Sequence, residues 1–232
     1  WWVQTGSADE KKGQEGFAHF LEHMLFKGTK KRPKAIDISS ELDGIGASYN
    51  AFTGFEYTGY YAKVDKKHFE TALDVVSDIY LNQIFDSDEI KKESGVVIEE
   101  INMYEDLPMR RVQDIFTTLL YGDQPAGWDI GGRKEVIAKL ERDDFVKYLK
   151  EHYMASATTV VIAGAIDEND ALEKAKEYFK DIATGNKKDK LAVKEKQDKP
   201  ELLVKKKESD QTHFVLGVRA YDMFDKRRYA AE

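Results

Sequence analysis

The sequence predicts an α+β fold, in which a mixed, largely antiparallel β-sheet is covered by helices. Amphipathic helical segments and short segments rich in β-branched and aromatic residues both occur along the 232 residues. They follow one another without the strict strand–helix alternation of a parallel sheet. With 41% hydrophobic residues, a chain of this length can also bury a sizeable core.

The first third of the chain predicts a strand, two helices and a hairpin. The opening segment WWVQTG is typical of a strand, and SADEKKGQE is typical of a polar loop. Apolar residues at helical spacing predict a helix over residues 16–27, which Gly28 ends, and a second helix over 34–43. The segments ASYNAFTG and EYTGYYAKV then predict an antiparallel hairpin.

The rest of the chain begins with a predicted helix over residues 66–82. A long helix follows, with the capping-box pair Asp86 and Glu89 at its start and Pro108 after its end. Shorter helices are predicted over 109–120 and 143–152. The segment TTVVIAGAI predicts a fully buried strand, and DENDALEKAKEYFKDI predicts a capped amphipathic helix.

The end of the chain is predicted to hold a surface linker and two last strands. Residues 185–200 have few apolar side chains, which is typical of a linker. The segments ELLVKKK and THFVLGVRA predict strands, and KRRYAAE resembles the opening turn of a helix. Because the chain starts in a strand without Met and stops in this turn, we expect a piece of a longer protein.

Composition excludes several classes of function. The net charge of −7 and the pI of about 5.4 argue against a nucleic-acid partner. Without cysteine, disulfides and thiolate zinc sites are excluded, so any metal must be bound by His, Asp or Glu. No apolar run is long enough for a transmembrane helix, and no signal-peptide pattern opens the chain. The expected location is therefore cytoplasmic, with no membrane partner.

The segment GFAHFLEHMLFKGT contains two of the five histidines of the chain. His19 and His23 are separated by four positions, so a helix places both imidazoles on one face, with Glu22 beside them. This arrangement suits a zinc ion and a carboxylate that acts as general base. The His-x-x-Glu-His pattern is the inverzincin motif, and chance would produce it in roughly one such chain in a hundred. This rarity disfavours the alternative of two half-exposed surface histidines.

Catalytic zinc usually takes a third protein ligand. Since His68, His152 and His213 lie in unremarkable contexts, a carboxylate is the better candidate. The long helix offers four glutamates, which are Glu93, Glu99, Glu100 and Glu105. Glu93 and Glu100 share a face, whereas Glu99 points about 100° away from Glu100. Spacing alone favours Glu100 only weakly, and solvated glutamates remain an alternative.

The motif segment resembles the zinc-binding helix of the pitrilysin and mitochondrial processing peptidase-like zinc metallopeptidases, the family that includes insulin-degrading enzyme and bacterial processing-protease-like proteins. GASYNAFTGFEYTGYYAKV is similar to the hairpin that follows this helix, and ESGVVIEEINMYEDLP to the third-ligand helix. VVIAGAID and THFVLGVRAYDMFDKRRYA resemble later segments. The resemblance covers essentially the whole chain and implies the metallohydrolase fold of the processing-peptidase type.

The resemblance implies a role for each residue of the motif region. His19, His23 and Glu100 match the ligands of one Zn²⁺ per chain, and Glu99 does not match the third. Glu93 matches a glutamate that supports the zinc site, and it is counted with Glu22 among the catalytic residues. Glu22 matches the general base that takes a proton from a zinc-activated water, which then attacks a peptide carbonyl.

The resemblance also implies a substrate and a partner. Extended peptides or unfolded segments are expected to lie along an edge strand at Asn50, Ala51, Phe52 and Thr53. A homologous C-terminal half or partner subunit is expected to close the chamber, with a homodimer as a further option. The implied domains are an N-terminal zinc-peptidase domain over 1–210 and a final strand and connection over 211–232.

The implied activity is that of a zinc-dependent metalloendopeptidase, of which the chain is the N-terminal catalytic half. One alternative is a non-catalytic subunit or scaffold on the same fold, although scaffolding does not need a water-activating glutamate. Another is a structural zinc module, which is disfavoured because such sites usually use four protein ligands, commonly including cysteine.

Overall fold

The computed structural model of the protein describes residues 1–208 and 210–231. A four-stranded antiparallel sheet has the strand order β2-β3-β1-β4. Its strands are β1 (Trp2–Val3), β2 (Ser48–Thr53), β3 (Thr58–Lys63) and β4 (Thr158–Thr159). Within the described residues the helices are α1 (Phe17–Leu25), α2 (Ala35–Gly44), α3 (Phe69–Leu81), α4 (Ser87–Glu105), α5 (Pro108–Tyr121), α6 (Lys134–Ile137), α7 (Arg142–His152) and α8 (Glu168–Tyr178). The predicted α+β class is confirmed.

The β2–β3 hairpin forms as the sequence predicts, and it leaves β2 at the edge of the sheet. Asn50 pairs with Tyr61 and Phe52 pairs with Gly59. Side chains alternate along β2, so Phe52 is exposed on the outer face while Ala51 and Thr53 point towards the helices. In the described sheet the outer side of β2 has no paired strand, and the N–H of Ala51 bonds Asn50 Oδ1.

Helix α1 is buried between the sheet and α4. Its apolar residues recur at helical spacing, and they are Phe17, Ala18, Phe20, Leu21, Met24 and Leu25, all of them buried. Burying each large apolar side chain stabilises the fold by about 1.5–3 kcal/mol relative to its exposure. The apolar stripe leaves one face for the polar residues of the motif, so packing alone fixes the direction in which that face points.

The N-terminus of α1 is held by the buried carboxylate of Glu10. This carboxylate accepts hydrogen bonds from the backbone N–H groups of Gly16, at 2.9 Å, and Ala18, at 2.8 Å. Such N–H groups have no partner within the helix, and the positive end of the helix dipole favours a carboxylate there. Burial nevertheless raises the pKa of Glu10 well above its ordinary value, although these hydrogen bonds oppose the rise.

Gly16 and Gly132 meet where the chain enters α1. Gly16 has a φ of 92°, and a Cβ at this position would lie 2.5 Å from the carbonyl oxygen of Gly131. Both the positive φ and the close backbone contact require glycine. The loop before α6 is thereby packed against the start of the motif helix.

Most predicted helices are confirmed to within three residues. Asp86 caps α4 by accepting hydrogen bonds from the N–H groups of Asp88 and Glu89, as its position in the sequence predicts. Asp167 caps α8 in the same way. Residues 185–200 contain no helix or strand and are mostly exposed, which agrees with the predicted linker. None of the helices in the described part of the chain is both long and apolar enough to cross a membrane.

The predicted strands near the end of the chain are wrong. The segment TTVVIAGAI forms a strand only at Thr158–Thr159, and Val161 is 63% exposed instead of buried. ELLVKKK and THFVLGVRA, including the predicted final strand of residues 211–232, form no strand in the described residues. A strand requires a partner for its hydrogen bonds, and among the described residues β4 pairs with the two-residue strand β1 alone. Apolar composition therefore over-predicted strands here.

Candidate metal centre

Helix α1 directs His19 and His23 towards the same point. Their Nε2 atoms lie 3.3 Å apart, and their ring centroids are separated by 4.7 Å. The separation of four positions stacks the two side chains one turn apart. The helix itself is fixed by its apolar face, so the two imidazoles are placed by packing before any ligand arrives.

Helix α4 adds a carboxylate to this pair. The Oε2 atom of Glu100 lies 3.4 Å from His23 Nε2 and 3.7 Å from His19 Nε2. One donor atom from each of these residues lies within 4.8 Å of the others, and no second such group of three occurs among the described residues. Glu99 is exposed and accepts a hydrogen bond from Asn102 instead. The structure thus brings Glu100, and not Glu99, to the histidines.

Glu93 lies behind His23, one hydrogen bond away from the cluster. Its Oε1 atom is 2.9 Å from His23 Nδ1, and its Oε2 atom is 2.6 Å from Lys27 Nζ. Burial would raise the pKa of Glu93, but the hydrogen bonds from His23 and Lys27 bring it below its ordinary value. An ionised Glu93 accepts a hydrogen bond from Nδ1–H, which keeps the proton on Nδ1 and leaves the Nε2 lone pair of His23 free to bind a metal.

The two histidines differ in their electrostatics. Burial and the neighbouring His23 lower the pKa of His19 to about 4, so His19 is neutral at pH 7. Burial alone would also lower the pKa of His23, but the hydrogen bond to Glu93 raises this pKa above its ordinary value. His19 Nδ1 is buried without a hydrogen-bond partner in the described part of the chain.

The carboxylate of Glu22 borders the cluster without belonging to it. Its Oε2 atom accepts a hydrogen bond of 2.5 Å from Thr53 Oγ1 in the edge strand β2. Burial raises the pKa of Glu22, while this hydrogen bond opposes the rise. A partly buried carboxylate of raised basicity, held beside a metal-binding group, is suited to proton transfer.

The four residues Asn50, Ala51, Phe52 and Thr53 all lie in β2, which packs on α1. Their side chains alternate, so Thr53 points inward to Glu22 while Phe52 is 42% exposed on the outer face. The Oδ1 atom of Asn50 accepts a hydrogen bond from the N–H of Ala51. Thr53 therefore connects the edge strand β2 to Glu22.

Sequence reasoning missed Lys27 and Glu10. Lys27 lies four positions after His23, so helical spacing alone could have placed it near the partner of His23. Glu10 contacts the helix from a preceding loop, and no local pattern indicates such a contact. The link between Thr53 and Glu22 spans 31 positions and likewise has no local signal.

The donor set fits a zinc ion. Two imidazole nitrogens and one carboxylate oxygen, without cysteine, are the three protein ligands that one class of catalytic zinc sites uses. A neutral His19 and a His23 whose Nδ1 is taken by Glu93 both present Nε2 as a donor. The same three residues are those expected from the sequence.

Comparisons with known proteins identify related sequences. The family model described as insulinase (peptidase family M16) matches residues 1–132, and the one described as peptidase M16 inactive domain matches residues 139–232. The uncharacterized zinc protease YmxG of Bacillus subtilis is 38% identical over 98% of this chain. An uncharacterized zinc protease of Streptomyces coelicolor is 34% identical over 99% of it. The chain covers 55% and 51% of these relatives, which is about half of their length.

Solved structures share the fold. A protease from Helicobacter pylori has a TM-score of 0.77 at 24% identity, and the match covers 84% of this chain and 47% of that one. The periplasmic protease PqqL from Escherichia coli has a TM-score of 0.75 at 24% identity, with 85% and 22% covered. The family models and the related sequences confirm the resemblance to pitrilysin-type zinc peptidases. Since the first family model matches more than half of the residues, the chain belongs to the insulinase family of peptidases, family M16.

Proposed function

We propose that this chain carries the metal-binding and proton-transferring residues of a zinc metalloendopeptidase that hydrolyses extended peptides or unfolded segments. The convergence of His19, His23 and Glu100, with donor atoms within 4.8 Å of one another, is the observation that carries this proposal. Membership of family M16 and the names of the related zinc proteases support it.

One zinc ion per chain would be held by His19 Nε2, His23 Nε2 and the Glu100 carboxylate. When bound, zinc acts as a Lewis acid towards a peptide carbonyl and makes a water molecule more acidic. Helices α1 and α4 pack directly on each other, so the three ligands are preorganised by the core of the domain.

Glu22 is the group that moves the proton. The hydroxyl of Thr53 donates a hydrogen bond to Glu22 Oε2. The other oxygen, Oε1, is therefore the atom that accepts the proton of the attacking water. The protonated carboxyl then delivers this proton to the departing amine. Burial helps the first of these steps, because it makes the carboxylate more basic than an exposed glutamate.

The substrate would bind along β2 by strand addition. Asn50, Ala51, Phe52 and Thr53 present the edge of the sheet directly beside α1. Backbone hydrogen bonds to an edge strand bind an extended peptide with little preference for its sequence. Because Thr53 lies in this strand and also bonds Glu22, a peptide paired with β2 would be held close to the proton-transferring carboxylate.

A second half or partner subunit would complete the enzyme. The relatives are about twice as long as this chain, which leaves room for a homologous C-terminal half. That half, or a separate subunit, would close over β2 and exclude water from the bound peptide. A homodimer of this chain is the other arrangement that could cover the edge.

Removing the metal tests the proposed activity in the full-length protein. We expect elemental analysis to find about one zinc per chain, since the described residues offer one group of three metal ligands. Hydrolysis of an unfolded polypeptide should stop after treatment with a chelator and return when stoichiometric Zn²⁺, but not Mg²⁺, is added. A zinc-loaded protein that cleaves no unfolded polypeptide would instead support a non-catalytic scaffold.

Substituting Glu93 tests whether this residue supports the metal centre without binding the metal itself. Glu93→Gln should lower zinc affinity or turnover by about 10–100-fold, because His23 Nδ1 loses its carboxylate partner. Glu99→Gln is the matched control, since Glu99 is exposed in the same helix and should leave both quantities unchanged. The assignment of helix faces would be wrong if the Glu99 variant were the more damaged one.

A further inference from the structure

Lys27 lies behind the metal centre, where it contacts Glu93. It follows the end of α1, one turn after His23, and its Nζ atom lies 2.6 Å from Glu93 Oε2. The side chain of Lys27 is 26% exposed, and that of Glu93 is 7% exposed. The pair is therefore largely removed from water, where an ion pair is stronger than at the surface.

The two oxygens of Glu93 are divided between two partners. Oε1 faces His23 Nδ1 at 2.9 Å, and Oε2 faces Lys27. Among the described residues, Lys27 is the one lysine or arginine that forms an ion pair with Glu93. With both oxygens engaged, the carboxylate has a single orientation, and the His23 ring that it bonds is fixed in turn.

The position of Lys27 supports this role. The C-terminal end of a helix carries a partial negative charge, which favours a cation there. The backbone N–H of Lys27 bonds the carbonyl of Met24, so the start of the side chain is held by the last turn of α1. Lys27 thereby links the helix that carries the histidines to the helix that carries Glu93 and Glu100.

We propose that Lys27 is a positioning residue of the metal centre, which locks Glu93 in the orientation that aligns His23 Nε2 with His19 and Glu100. This inference rests on the proposed zinc ligands and adds a residue that acts on them through Glu93. Without Lys27, the buried carboxylate keeps His23 as its one hydrogen-bond partner and is free to rotate about its last side-chain bond. The His23 ring then loses a fixed support.

Zinc affinity of the full-length protein measures this effect directly. Competition with a chromogenic chelator gives the Kd for Zn²⁺ in the wild type and in Lys27→Met, which keeps a long apolar side chain. Since loss of an outer partner typically weakens binding by about 10–100-fold, and Lys27 acts one contact further out, we expect about a 10-fold increase in Kd. Lys27→Arg restores a cation and should recover most of the affinity.

Two controls separate positioning from general stability. Lys30→Met changes an exposed lysine three positions away and should leave the zinc Kd unchanged. The thermal midpoint of the metal-free protein should be measured in the Lys27 and Lys30 variants, because loss of the Lys27–Glu93 ion pair is expected to lower stability as well. If Lys27→Met weakened zinc binding only in proportion to a lower thermal midpoint, a structural role would replace the proposed one.

A double-mutant cycle tests whether Lys27 affects zinc binding through Glu93. If Lys27 acts through Glu93, Lys27→Met should change the Kd by less than about twofold when Glu93→Gln is already present. An undiminished 10-fold effect in that background would overturn the proposal. His23→Ala in the same assay distinguishes a failure of the proposed role of Lys27 from a failure of the ligand assignment. If that variant loses zinc while Lys27→Met binds it normally, only the role of Lys27 fails; if His23→Ala retains zinc, the ligand assignment itself fails.

Discussion

Replacing Glu22 with glutamine is expected to lower peptide turnover by at least about 100-fold, the usual contribution of a general base. Glutamine keeps the volume of the side chain and an oxygen that can accept the hydrogen bond from Thr53. It cannot take a proton from the attacking water. The chemistry should therefore fail while the local structure stays intact.

Zinc content and peptide binding should be measured in the same preparations of the Glu22→Gln variant. Both should equal those of the wild type, because Glu22 lies outside the group of three ligand residues. Loss of zinc would show that Glu22 is itself a ligand. Turnover close to that of the wild type would show that the proton leaves by another route.

Replacing His23 with alanine is expected to remove zinc and to abolish activity. His23 supplies the central donor, since its Nε2 lies 3.3 Å from His19 Nε2 and 3.4 Å from Glu100 Oε2. Two donors would remain for an ion that catalytic sites hold with three. The loss of affinity should exceed the roughly 10–100-fold cost of removing an outer partner such as Glu93.

Elemental analysis after dialysis measures the effect of His23→Ala, and His213→Ala is its control. His213 lies in the irregular segment near the end of the chain, outside the ligand group, so its variant should keep its zinc. Added Zn²⁺ should not restore hydrolysis to the His23 variant at concentrations that saturate the wild type. A His23 variant that retains stoichiometric zinc after dialysis would contradict the ligand assignment.

Local patterns were sufficient to predict the helix of the motif and the hairpin. The apolar stripe of α1 and its two histidines repeat at the spacing of a helix, and the Gly-containing turn separates two strand-like segments. In contrast, spacing favoured Glu100 over Glu99 only weakly, because both lie in one helix and differ only in direction. Which face of α4 points towards α1 depends on packing between the two helices, and a local sequence pattern does not encode that packing.

The errors in the predicted strands also arise because local patterns do not encode contacts between distant parts of the chain. TTVVIAGAI is composed like a buried strand, but its pairing stops at Thr159, opposite Trp2, the first residue of β1. Strand formation depends on a neighbour that can be distant in the chain, whereas helix formation uses hydrogen bonds within the segment. The hydrogen bond between Thr53 and Glu22 shows this limit at the metal centre, because the two residues are 31 positions apart in the chain.

The position of β2 at the edge of the sheet also affects the tendency of the protein to aggregate. An exposed border strand pairs with any extended chain that reaches it, including the same strand of another molecule, and such pairing leads to aggregation. Here Lys63 lies beside the first residue of the strand. A lysine in this position limits pairing between molecules. A second half or subunit over β2, as proposed above, would also limit pairing between molecules.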